Sequence, residues 1–335
     1  MKKVDLGTPG GPRTRLSTSL PLQAPFLVQI FPVYACNCKC QFCIYSLEKD
    51  QRGFISDVKL IKEKMFVKAI EEMKLFPKKI KMLRFAGIGE PLLHSNISKM
   101  IKIAKDANVA DRVDIVTNGI MLNKSISNEL IEAGLSTLRI SVNGLNASDY
   151  KKNCGIDIDF DKYVEEIRYF YQNRGNTKVY IKIIDYMVGD ESKKQEFYNL
   201  FDSISDTLAI EHLTPTVESV NIQGIVGSRE LKQTQCGGEV LNANVCPQPF
   251  YMMQINPDGK VVPCCSMEYP CIVGDLNTEK LNEVWQKEQF NSFRREMLKD
   301  RKHASNVCEK CCLYKYGLYQ EDILDSEAEE LLKLY

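Results

Sequence analysis

Between residues 26 and 213 the chain repeats one unit: a short apolar run, a polar turn, then a helix-like period. The apolar runs cover residues 26–33, 79–85, 112–117, 137–142, 178–187 and 208–213. Between them, apolar residues recur at three- and four-residue spacing over 58–73, 95–106, 123–133, 160–171 and 191–204. Five strand–helix units closed by a sixth strand argue for a parallel sheet with its helices outside. In such α/β folds the C-terminal strand ends form the active face. Here those ends carry the unusual residues. Cysteines follow the first strand, Gly87-Ile88-Gly89-Glu90-Pro91 the second, and Asn118-Gly119 the third.

Composition narrows the class. Forty-four Lys and Arg balance forty-four Asp and Glu among 335 residues, so a basic nucleic-acid-binding surface is not expected. No apolar run approaches the length of a membrane span, and the polar N-terminus lacks a secretory core. A cytoplasmic protein is expected, and 13 cysteines in a reducing compartment point to metal or catalysis rather than disulfides.

The cysteines fall into two groups. Cys36, Cys38, Cys40 and Cys43 share one loop, and eight more lie beyond residue 235. Cys154 stands alone between them, in what reads as a polar loop. Cys36, Cys40 and Cys43 have the spacing C-x3-C-x2-C, which lets three thiolates come from one loop. Three thiolates on a four-iron cluster leave one iron open to a small ligand. The same loop also offers four thiols to a tetrahedral zinc ion if Cys38 joins in.

With Phe42 as the aromatic before the last cysteine, this loop resembles the signature of the radical S-adenosylmethionine (SAM) enzymes. The resemblance implies a partial (β/α)6 barrel of the TIM type. It also implies a 4Fe-4S cluster on Cys36, Cys40 and Cys43, whose open iron binds SAM. Reductive cleavage would then yield a 5′-deoxyadenosyl radical that abstracts hydrogen from the substrate. Cys38 is not a ligand on this reading. Gly87, Gly89 and Glu90 resemble the family's Gly-Gly-Glu-Pro motif, which receives the SAM amino group; Ile88 replaces one glycine. Asn118 and Ser141, at the ends of the third and fourth strands, are carried over as further SAM contacts.

The C-terminal cysteines resemble the SPASM and twitch extensions of the same superfamily. Cys246, Cys264, Cys308 and Cys311 are the best ligands for one auxiliary 4Fe-4S cluster in a small cysteine-rich domain of β-hairpin and helix. A second auxiliary cluster is not expected, because the next cysteine position of a full SPASM pattern is Gly317. A tetrathiolate zinc site fits these four residues as well.

The expected organisation is a flexible segment (1–25, with glycine-rich 7–11 disordered), the barrel (26–213) and a linker (214–245). The auxiliary-cluster domain (246–316) and an acidic C-terminal helix (317–335) follow. A hairpin turning at 256–259 and a helix over 281–298 are expected within the auxiliary domain. The resemblance implies an enzyme that oxidises or epimerises a small polar substrate, sugar- or aminocyclitol-like. Its reducing partner would be a flavodoxin or ferredoxin, with neither nucleic acid nor membrane involved. One alternative is a maturase acting on a ribosomally made peptide or a protein side chain; the short stretch before the first strand weighs against it. The other is a non-enzymatic zinc-binding module.

Overall fold

On the parallel strands the face that the helices cover is apolar, and the other face carries most of the polar residues. The computed structural model describes residues 13–52, 56–215, 218–266 and 268–335. The glycine-rich stretch 7–11 lies outside them. The strands of the repeat are β1 (Leu27–Ile30), β2 (Ile80–Phe85), β3 (Ala110–Thr117), β4 (Thr137–Val142), β5 (Lys178–Ile184) and β6 (Thr207–Glu211). The helices between them are α1 (Glu63–Met73), α2 (Ile97–Asp106), α3 (Lys124–Glu132), α4 (Ala147–Cys154), α5 (Phe160–Asn173) and α6 (Glu191–Phe201). Val28, Ile30, Leu83, Phe85, Ile115, Leu138, Ile140 and Ile181 are buried against these helices, with Phe66 of α1 5.8 Å from Phe85. Burying each such side chain stabilises the fold by about 1.5–3 kcal/mol.

Helix starts follow from short polar side chains. Asn123, Asn146, Asp159 and Asp190 each accept the backbone N–H three residues on, so four of the six helices begin at a side-chain cap. α4 is absent from the sequence expectation. Its apolar face is only Tyr150 and Cys154, four residues apart, and both are buried. Cys154 therefore ends a helix instead of lying in a polar loop. α1 starts later than its apolar period suggests, because Leu60 is held extended by a bridge to Val33.

The hairpin expected in the C-terminal cysteine-rich domain forms, turning at 256–259, and it also extends the barrel sheet. β7 (Met252–Ile255) pairs parallel with β1, and β8 (Lys260–Val262) and β9 (Gly274–Asp275) continue antiparallel. The order is β6-β5-β4-β3-β2-β1-β7-β8-β9, with β6 and β9 unpaired to each other, so the sheet is an open, partial barrel. β1 would otherwise present a bare edge of backbone donors and acceptors.

Three further expectations are corrected. From Arg13 onward the segment thought flexible is packed: Leu16, Leu20, Leu22 and Ala24 are buried, and Trp285 Nε1 donates to Leu22 O at 2.8 Å. The helix over 281–298 is two, Leu281–Gln286 and Glu288–Lys299, because Lys287 is extended. The acidic C-terminal helix survives only as Ala328–Leu332 after two 3-10 turns, which hold Asp322 beside Arg13. Among the described residues no helix is long and apolar enough to cross a membrane.

A chain cut after residue 245 loses β7 and exposes the β1 edge with Val28 and Ile30. It is expected to aggregate on size-exclusion chromatography. A monodisperse, folded fragment would show that the β1–β7 pairing is dispensable.

Candidate active site

The cysteine loop leaves β1 and is held from below by the last turn of α4. Lys39 N donates to Cys154 O at 2.8 Å, Gln41 N to Asn153 O at 3.0 Å and Gln41 Nε2 to Lys152 O at 3.0 Å. Cys43 N closes a turn onto Cys40 O at 2.9 Å. Cys36, Cys40 and Cys43 all stand on this loop, half-buried, and the Phe42 ring meets Tyr186 edge-on at 6.4 Å. A hydrogen bond from the Cys38 thiol holds the Cys36 thiol below its ordinary value, against the burial that raises it. Burial raises the Cys43 thiol, and its hydrogen bond with Cys154 raises that of Cys40.

Two thiols outside the expected ligand set sit in the same place. Cys40 Sγ is 3.5 Å from Cys154 Sγ, and the sulfurs of Cys38, Cys40 and Cys154 lie within 4.8 Å of one another. Cys154 is thus next to the loop that the sequence put 111 residues away in the chain from Cys43. The missed signal was the pairing of Asn146 as a cap with Tyr150 and Cys154 at helical spacing. All donors here are sulfur, which suits an iron–sulfur cluster or zinc and disfavours harder ions.

The loop after β2 is fixed by steric need. A Cβ on Gly87 would stand 2.1 Å from the Phe31 ring, and one on Gly89 2.2 Å from Val33 O; both residues have positive φ. Glu90 then turns inward and is buried. Its Oε1 accepts from Thr117 Oγ1 at 2.6 Å and Leu92 N at 2.9 Å, and its Oε2 from Asn118 N at 2.7 Å. Burial raises its carboxyl above the ordinary value even so. Asn118 Nδ2 reaches Asn37 Oδ1 at 2.7 Å and Cys38 Sγ at 3.5 Å, and its carbonyl accepts from Tyr163 at 3.1 Å. The motif after β2, the end of β3 and the cysteine loop are therefore one hydrogen-bonded unit. Ser141 stands on β4 opposite Lys182 of β5, two residues before Asn143, whose side chain donates to Ser141 O at 3.3 Å.

The inner face of the sheet is polar. Gln254, Gln29, Arg84, Asp114 and Thr137 are aligned across β7, β1, β2, β3 and β4, and Arg139 is aligned with Tyr180 of β5. Glu211 of β6 accepts from Tyr180 at 2.9 Å, from Lys182 and from Gln235 at 2.6 Å. Gln235 comes from the 214–245 stretch, which is therefore tied to β6 and not only a linker. Asp185, just past β5, pairs instead with His212 at 2.8 Å.

Cys246, Cys264, Cys308 and Cys311 line a single cavity with apolar walls that include Phe293, Met297 and Tyr314. Burial raises the thiols of Cys246, Cys264 and Cys308, and neighbouring thiols raise them further. Four thiols in one apolar cavity fit a closed metal centre. The four remaining C-terminal cysteines have other partners: Cys265 donates to Gln248 at 3.5 Å, Cys271 to Ile272 O at 3.6 Å and Cys312 to Pro215 O at 3.8 Å, and Cys236 accepts from Tyr319 at 3.6 Å.

Comparison with known proteins decides the family. The profile of the radical SAM superfamily matches residues 30–204, and that of SPASM, an iron–sulfur cluster-binding domain, matches residues 246–312. The chain belongs to the radical SAM superfamily. This membership carries SAM and 4Fe-4S clusters as its cofactors. Among curated relatives, the GTP 3′,8-cyclase of Clostridium perfringens strain 13 is 24% identical over 89% of this chain and 85% of its own length. The fold resembles that of Streptococcus suis SuiB bound to its precursor peptide SuiA, with a TM-score of 0.62 and 16% identity over 83% of this chain and 69% of that one. It also resembles BtrN in complex with AdoMet and 2-DOIA, with a TM-score of 0.52 and 15% identity over 87% and 97%.

In the radical SAM chain the Glu90 carboxylate faces donors only. Glu90→Gln places an amide NH2 against the Asn118 N–H or the Thr117 hydroxyl and leaves a buried donor unsatisfied. A loss of about 1–3 kcal/mol in denaturant unfolding is expected. Unchanged stability would show that these hydrogen bonds do not hold the unit together.

Proposed function

We propose that this radical SAM enzyme removes a hydrogen atom from a C–H bond of a small polar substrate, sugar- or aminocyclitol-like, leading to its oxidation or epimerisation. The observation that carries this reading is the inner face of the sheet. Charged and amide side chains are turned inward there, below the strand ends that bear the cysteine loop. A polar interior suits a hydroxyl-rich molecule held by hydrogen bonds.

Cys36, Cys40 and Cys43 would hold the SAM-binding 4Fe-4S cluster, three thiols leaving one iron for SAM. When bound, SAM on that cluster supplies the hydrogen-abstracting radical. The chain's own residues do the rest. Gly87 and Gly89 let the loop after β2 pack directly on Phe31 and the Val33 carbonyl, which sets the loop's own carbonyls where a ligand's amino group would be received. Glu90 acts on Asn118, holding its backbone while its side chain reaches the cysteine loop. Ser141 offers a polar contact to SAM. Asn118, carried over for the same role, has its side chain engaged by Asn37, Cys38 and Ile120 and acts by positioning the loop. The Phe42 ring packs edge-on against Tyr186. Cys246, Cys264, Cys308 and Cys311 would hold one auxiliary 4Fe-4S cluster with no iron left for substrate. A flavodoxin or ferredoxin as electron donor and a cytoplasmic setting belong to the same reading.

A maturase reading stands beside it because SuiB was solved with a precursor peptide. The relative named for GTP and BtrN, solved with 2-DOIA, support the small molecule.

Anaerobic reconstitution is expected to load about eight irons per chain and to permit reductive SAM cleavage. Replacing Cys36, Cys40 and Cys43 together with Ala should leave about four irons and no SAM cleavage. Cys246→Ala with Cys308→Ala should also leave about four irons but retain SAM cleavage. Tightly held zinc without iron, or SAM cleavage by the triple variant, would sink the assignment.

A further inference from the structure

The buried part of the inner face holds more positive than negative charge. Arg84, Arg112, Arg139 and Lys182 are matched by two carboxylates, Asp114 and Glu211. All six are at least three-quarters buried, and the two acids almost completely so. Burying unbalanced like charge is costly, and folds rarely retain it without a counter-charge.

The pairing among these groups is loose where the excess lies. Arg84 Nη2 is 3.8 Å and Arg112 Nε 3.3 Å from the same oxygen of Asp114, and Arg139 Nη2 is 3.9 Å from Glu211. Arg84 Nε and Arg139 Nη1 are buried without a hydrogen-bond partner among the described residues. Glu211 is already engaged by Lys182, Tyr180 and Gln235, so it has little left to offer Arg139. The Arg139 guanidinium is instead stacked on the Tyr180 ring at 4.3 Å. Burial brings Arg84 down to about 10, with Arg139 the next cause and Asp114 only partly opposing. Both Asp114 oxygens and Gln254 Oε1 are likewise buried without a hydrogen-bond partner among the described residues, so the site is marked by its excess of positive charge over loosely placed acceptors. The planar forks of Arg84 and Arg139 match the oxygens of a carboxylate or phosphate.

The position is informative as well. Arg84 is aligned with Asp114 near the top of the sheet, one residue before the end of β2. Through Gln29 of β1 it is in line with Gln254 of β7, the strand that with β8 leads to Cys264. The cationic subsite is thus on the auxiliary side of the interior, with the cysteine loop above the strand ends.

We propose that the substrate carries a doubly charged oxyanion group, seated between Arg84 and Arg139 on the inner face of the sheet. This rests on the reading of that interior as the substrate site. The oxyanion anchors the molecule toward the auxiliary centre and leaves its C–H bond toward the cysteine loop. A neutral sugar would leave the two guanidinium groups uncompensated. A phosphate ester and a pair of carboxylates share the required chemistry.

The test uses the full-length, reconstituted protein under anaerobic conditions. Inorganic phosphate and malonate are titrated separately by calorimetry at matched ionic strength, and SAM in parallel. At least one of the two anions should bind, and which one tells phosphate from carboxylate. Arg84→Gln with Arg139→Gln should weaken that binding about tenfold or more while SAM affinity and iron content stay unchanged. Arg84→Lys, which keeps the charge, should retain most of the binding and guards against misfolding of the double variant. Binding of neither anion, or equal binding by the double variant, would overturn the anionic substrate and leave the SAM chemistry standing. Failure of the wild type to bind or cleave SAM would instead overturn the proposed function itself.

Discussion

The Glu90 carboxylate joins three chain segments that are distant in sequence. It accepts from Leu92 in its own loop and from Thr117 and Asn118 at the end of β3, and Asn118 in turn holds Asn37 and Cys38. A buried carboxylate is expensive unless donors surround it, and here three do. The geometry leaves no room for error, because the two glycines that bring Glu90 inward lie against Phe31 and the Val33 carbonyl. Cysteines on a mobile loop would present their sulfurs in many arrangements. Tied to β3 through Asn118 and to α4 through Cys154 O and Asn153 O, they present one.

The same economy governs the relation between the two cysteine groups. β7 completes the edge of β1, so the auxiliary cavity is built onto the sheet and does not hang from a linker. Trp285 and Arg294 reinforce the join. The indole donates to Leu22 O, and the guanidinium, packed against the perpendicular rings of Trp285 and Phe290, donates to Pro249 O and Trp285 O. Continuous hydrogen bonding across β1 and β7 fixes the two cysteine groups relative to each other.

Much of this was legible in the residues. The strand–helix repeat was readable because one face of every strand is packed on helices, and the cysteine spacings were readable because ligands on one loop stay close in sequence. What was hidden has a common cause. Alternation of apolar and polar residues shows that a strand has two different faces, but not that water covers the polar one. Arg84, Arg112 and Arg139 therefore look like ordinary solvent-facing residues, although the sheet curls around them. Cys154 was hidden because its helix buries only one narrow strip. The β1–β7 pairing was hidden because parallel register between segments 225 residues apart leaves no local trace.

The charged interior also explains where the fold's stability must come from. In most parallel barrels side chains fill the inside with apolar layers. Here that volume holds four cations, two carboxylates and two glutamines, which contribute little apolar burial and carry a desolvation cost. The compensation lies outside the sheet, where Phe66, Phe85, Ile101, Ile140, Phe170 and Phe197 are fully buried between strands and helices. A chain that folds from its outer layer can keep a poorly compensated inner one. On the proposed oxyanion site, the desolvation cost of these buried cations is offset by the charge of an anionic substrate seated between Arg84 and Arg139, and so becomes differential affinity for it over a neutral one.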